Sequence, residues 1–141
     1  RQVLQDLRIN ALAASTHGFC AADAMTLSGE TEWRQINVRR LMILLRLAAI
    51  SRGEPLVFEP NGDVVRRALE REFGQMLGDF QRRGAFAGGR QGWRLAVQRS
   101  LGDHDGGRLV AEIGIAPSQP LRFLSFRLVQ HGARLTLGES A

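Results

Sequence analysis

The chain has 141 residues, 44% apolar and 23% charged, with 16 Gly, 4 Pro and a single Cys. That length fits a domain with its own core, since a chain near 150 residues buries roughly 68–70% of its unfolded surface, and the well-mixed charge excludes a disordered chain. One cysteine excludes a disulfide scaffold and points to a reducing compartment; the net charge of +5 sets nineteen basic residues, all arginine, against fourteen acids, and the lack of lysine excludes Schiff-base and Walker A chemistry.

Residues 1–22 mix apolar and small residues around Leu4, Leu7, Ile9 and Leu12, then loosen at Ser15-Thr16-His17-Gly18. The chain opens on Arg1-Gln2-Val3 without an initiator Met or an apolar leader, and so is expected to be a fragment, a processed chain or the ordered part of something larger. Ala24–Leu27 reads as a short strand ended by Ser28-Gly29. A helix to about Arg52, capped by Thr31 or Asn37, comes next. Ten of the thirteen residues from Val38 to Ile50 are apolar, which predicts burial on nearly all sides, with Arg39 and Arg46 as a narrow polar stripe. The aliphatic run Leu41–Leu45 falls far short of the ~20 residues of a membrane span.

Leu56–Glu59 reads as a second strand, broken by the turn Pro60-Asn61-Gly62. Asp63 is the expected N-cap of a second helix, about Val64 to Arg83, whose buried stripe is Val65, Leu69, Phe73, Met76 and Phe80. Asp79 and Arg83 form an i,i+4 pair before the stop at Gly84. After a glycine-rich loop, Gly84–Gly92, come strands at Trp93–Gln98, Leu109–Ala116 and Leu121–Gln130, and a short piece at Ala133–Leu137. The order β-α-β-α-β-β-β predicts an α+β fold, an α/β sandwich. Its mixed sheet of about four to five strands carries two main helices, plus a terminal strand able to pair with a neighbouring subunit.

Little in the chain suggests catalysis. His17 and Cys20 make an H-x-x-C pair without a second ligand pair at zinc spacing, so they read as a loop His beside a small buried Cys. Asp103-His104-Asp105 lies in a Gly-flanked loop without a nucleophile motif and reads as a solvated turn. Gly84–Gly89 lacks both G-x-G-x-x-G spacing and Lys. No metal, cofactor or catalytic residue is expected. On the second helix Arg67, Arg71, Gln75, Gly78 and Arg82 share one strip opposite the apolar stripe. That strip is either a solvated face or a docking surface for an acidic protein or nucleic acid.

Four stretches occur in the order of one known family. Glu32-Trp33-Arg34-Gln35-Ile36-Asn37-Val38-Arg39-Arg40-Leu41 resembles the "EWRYINVRRL" segment of contractile-tail sheath proteins, and Phe58-Glu59-Pro60-Asn61 resembles their "FEPN" turn. Gly84-Ala85-Phe86-Ala87-Gly88 resembles "GALAG". The stretch Gly107 to Pro117, followed by Pro120 and Phe123–Leu128, resembles "GRLVVEIGVAP…RPAEFVIFRI". Trp33, Asn37, Arg39, Arg40, Pro60, Asn61 and Glu112 are the structural positions of these motifs. The loop between Gly88 and Arg108 is shorter than in the family, the tail beyond Gln130 is longer, and the outer domains and N-terminal arm of sheath proteins have no counterpart here.

The resemblance implies the C-terminal domain of a sheath from a phage tail, R-type bacteriocin or phage-like injection system. Such a sheath polymerises around an inner tube and contracts to drive it through a target envelope. The implied partners are other sheath subunits in a helical homo-oligomer, the inner tube protein, and baseplate and terminator components, without nucleic acid or membrane insertion. The implied location is the bacterial cytoplasm during assembly, then a virion or an injection particle. The expected division is a lead-in segment at 1–22, a core domain at 23–120 and a C-terminal arm at 121–141. In that arm Leu121, Arg122, Phe123, Leu124, Ser125, Phe126, Arg127, Leu128 and Val129 are expected to exchange with a neighbouring subunit; Pro117 and Pro120 tether this β-prone strand. Arg67, Arg71 and Arg82 are the candidate tube contacts. A basic nucleic-acid-binding domain, whose affinity would fall steeply with salt, is the alternative, and a small enzyme is the third class.

Overall fold

In a computed structural model, the structure describes residues 2–57, 59, 62–88, 92–100, 108–117, 124–131 and 134–140. The chain divides into two compact units, Arg1–Ile43 and Leu44–Ala141. Asp103-His104-Asp105, Pro60 and Asn61 lie outside the described residues.

The first unit holds a short helix, α1 (Gln2–Asp6), and an antiparallel hairpin of β1 (Leu12–Ser15) and β2 (Gly18–Ala21). Gly18, at φ +111°, closes the hairpin in a left-handed conformation that a side chain would strain. Cys20 is exposed on β2 rather than buried, because a two-stranded ribbon has no covered face. The strand expected at Ala24–Leu27 is a single bridge, Met25↔Gln35. The bridge's hydrogen bonds run from Thr26 N–H to Arg34 O and from Ile36 N–H to Ala24 O, and its partner segment has no room to extend between the 3-10 turn before it and the helix that starts at Ile36. On the other edge the Asn10 side chain accepts from the Met25 N–H at 2.8 Å and donates to its carbonyl at 3.0 Å. Thr31–Trp33 is a 3-10 turn, and Trp33 is buried.

Helix α2 (Ile36–Gly53) begins between the two proposed caps: Thr31 precedes it by more than a turn and Asn37 is already its second residue. It is also buried on one side only. Val38, Met42, Leu45 and Ala49 are buried at spacings of four, three and four, whereas Ile36, Ile43, Leu44 and Leu47 are exposed. The apolar run therefore overstated the core.

In the second unit α2 ends in a 3-10 turn at Glu54–Leu56, where a strand was expected from residue 56. Pro55, with fixed φ and no N–H, starts such a turn readily. The buried Gln130 then donates to the Leu56 and Val57 carbonyls at 3.2 and 2.8 Å, satisfying in place what a sheet ladder would have satisfied. Helix α3 (Asp63–Arg82) buries Val65, Leu69, Phe73, Met76 and Leu77. Its cap is Gly62, not Asp63; Asp63 occupies the first turn, 3.6 Å from Arg66. Asp79 pairs with Arg82 rather than Arg83.

The sheet is a meander, β3 (Trp93–Ser100), β4 (Arg108–Ile115), β5 (Leu124–His131) and β6 (Arg134–Ser140), in the order β3-β4-β5-β6. The α+β class holds, although every strand pair is antiparallel and the sheet is not mixed. Alternation fixes its faces: Leu109, Ala111, Ile113 and Ile115 on β4, and Leu124, Phe126 and Leu128 on β5, form the core. On the other face Glu112 meets Arg127 at 3.3 Å, its register partner. Burying the six larger of these side chains, all but Ala111, contributes about 1.5–3 kcal/mol each to the stability of the sheet.

Candidate assembly surfaces and family motifs

Opposite the buried stripe of α3, Arg67, Arg71, Gln75 and Arg82 are all exposed, and Gly78 lies among them half-buried. A Cβ at Gly78 would meet nothing closer than the Arg82 guanidinium at 3.7 Å, so the strip is open above the helix backbone. Its charge is smaller than the sequence implied. Arg82 is held by Asp79, whereas among the described residues Arg67 and Arg71 form no ion pair. Two uncompensated guanidinium groups one helical turn apart remain, a geometry suited to a carboxylate-rich surface.

Of the arm residues, Leu121, Arg122 and Phe123 lie outside the described residues. Leu124 to Val129 lie in β5, paired with β4 on one side and β6 on the other within the same chain. The exposed edges of the sheet belong to β3 and β6, so β5 cannot be passed to a neighbour without β6.

The motif residues hold the architecture together. Arg39 stacks over the Trp33 ring, 4.9 Å from its centroid, a cation–π contact worth about 0.5–2 kcal/mol; Asn37 and Arg40 are exposed on the first turns of α2. The Gly84–Gly88 loop returns to the end of β4. Ala87 N–H donates to Ala116 O at 2.8 Å, and Ala116 N–H donates to Gly92 O at 2.8 Å. Two motifs far apart in sequence are thus one hydrogen-bonded unit. Glu112 is the acid of the sheet's outer face. Among the described residues no cluster of three His, Cys, Asp or Glu side chains could hold a metal, and no helix is long and apolar enough to cross a membrane.

The phage tail sheath C-terminal domain family matches residues 28–131. The chain belongs to that family. No curated protein matches it. Among solved structures the sheath domain resembles a chain of the anti-feeding prophage (AFP) baseplate, seen by cryo-electron microscopy with six-fold symmetrisation. The TM-score is 0.70 at 23% identity, covering 79% of this chain and 33% of that one. At that identity the likeness shows a shared fold, and the domain spans about a third of the chain it matches. Membership in a structural, contractile-system family points away from catalysis.

Sequence reasoning missed the exposed apolar face of α2. Ile36, Ile43 and Leu47 recur at seven and four residues, a helical repeat of its own, but it was hidden inside a run that is apolar all round.

Proposed function

We propose that this sheath domain belongs to a non-enzymatic subunit that polymerises around an inner tube and shortens to drive the tube through a target envelope. The family match over 28–131 carries the reading, and the shared fold with a chain of an injection-system baseplate supports it. Assembly in the bacterial cytoplasm, followed by residence in a virion or injection particle, follows from that role.

Within it, the Arg67–Arg71 strip grips the tube, with Arg82 at its end. Contraction needs a hold that releases, and exposed ion pairs of about 0.2–1 kcal/mol each, repeated along a polymer, provide one. The β5–β6 hairpin, joined to β4 through residues 116–123, is the element exchanged between subunits, which makes 121–141 the arm. In the full-length parent, Arg67→Glu with Arg71→Glu should leave the melting temperature unchanged and give sheaths without tubes by negative-stain microscopy. Tube-filled sheaths at normal yield in low and physiological salt would refute the tube assignment.

A further inference from the structure

The outer face of the sheet carries a row of basic side chains at one end. Leu109 pairs with Gln130, and both are buried on the core face. The next residues, Arg108 and His131, therefore lie side by side on the opposite face, and His131 pairs in turn with Arg134. All three are exposed. With strands about 4.8 Å apart, the row spans roughly 10 Å. Elsewhere on that face a base is answered by an acid, Arg127 by Glu112 on the neighbouring strand. Among the described residues no acid answers Arg108, His131 or Arg134.

The complement lies in the same unit. Glu54 and Glu59 are exposed around the 3-10 turn and form no ion pair among the described residues. Gln130 fixes where that turn sits, since its core-facing side chain donates to Leu56 and Val57, while the adjacent His131 faces the other way. The acidic turn and the basic row thus occupy opposite faces of one end of the sheet. Opposite charges turned away from each other do not neutralise within one chain, but they meet when copies stack head to tail. A contact between two different patches is heterologous and propagates.

We propose that the Arg108–His131–Arg134 row docks the Glu54 and Glu59 carboxylates of a second copy of this chain. The inference rests on the polymeric role above and adds one of its contacts. The test uses two variants of the full-length parent, Arg108→Glu with Arg134→Glu and Glu54→Arg with Glu59→Arg, each checked for a wild-type melting curve. Alone, each should lose self-association by about tenfold in sedimentation. Mixed in equal amounts they should recover it, because the reversed row of one meets the reversed turn of the other. Variants that associate as wild type overturn the proposal. So do one-sided losses that mixing fails to rescue, which would assign the row to a different acidic partner. Wild-type chains that associate without forming tubular sheaths would sink the sheath reading while leaving this contact in place.

Discussion

Adjacent leucines on α2 provide a sharp test of how the domain is packed. Leu45 is 0% exposed and Leu44 is 53% exposed, although the sequence around them is uniformly apolar. Leu45→Ala removes a fully buried isobutyl group and leaves a cavity, which costs about 2–5 kcal/mol. For a domain of this size, at roughly 3 °C per kcal/mol, that lowers the melting temperature by about 6–15 °C. Leu44 keeps half its surface in water, so Leu44→Ala should cost under about 1 kcal/mol, or less than ~3 °C. The aspartate pair widens the gap. Leu45→Asp buries an unpaired charge and should prevent folding, whereas Leu44→Asp should fold and remain soluble. Circular dichroism melts of the four variants decide the matter. Equal losses at the two positions, or a greater loss at 44, would show that α2 is buried all round after all.

Gly92→Ala should destabilise by several kcal/mol, since its Cβ would lie 2.3 Å from the Ala87 carbonyl oxygen; Gly78→Ala, in open space on α3, should instead stabilise by about 0.5–1 kcal/mol, both read by urea denaturation. Gln130→Leu should cost about 1–3 kcal/mol by stranding the Leu56 and Val57 carbonyls, and hydrogen exchange should speed selectively around residues 54–57. A Glu112→Cys/Arg127→Cys staple joins register partners of β4 and β5, whose Cα separation in an antiparallel pair suits a disulfide. If the hairpin must be exchanged, sheaths of the oxidised parent should fail to assemble and reappear on reduction.

Helix α3 and the four strands of the sheet were legible because each carries an unbroken period, 3.6 over Val65–Leu77 and 2 over Leu109–Ile115. The errors fell where a neighbour distant in sequence overrode local pattern. The segment that Met25 pairs with is cut short between a 3-10 turn and α2, and Gln130 ties down Leu56 and Val57 from over seventy residues away; neither leaves a trace in the segment it reshapes. The arginine strip was readable from a helical wheel, but its charge was not, because the choice of Asp79 for Arg82 over Arg83 is a rotamer decision. The basic row depends on strand register, which no local window contains.

The meander also decides how the domain bears a mechanical load. Strands β5 and β6 share seven register positions, from Ser125↔Ser140 to His131↔Arg134. A pull directed along β6 loads those positions together, in shear, and must break them nearly at once. A pull at right angles opens them singly, like a zip. Gly53 allows α2 to settle against this same hairpin, where a Cβ would lie 3.1 Å from Leu128 and 3.5 Å from Leu135. Tension carried along the last strand therefore passes into a long helix rather than ending at the sheet edge. In an optical trap, this should appear as a high rupture force for pulling along β6 and a low one across it.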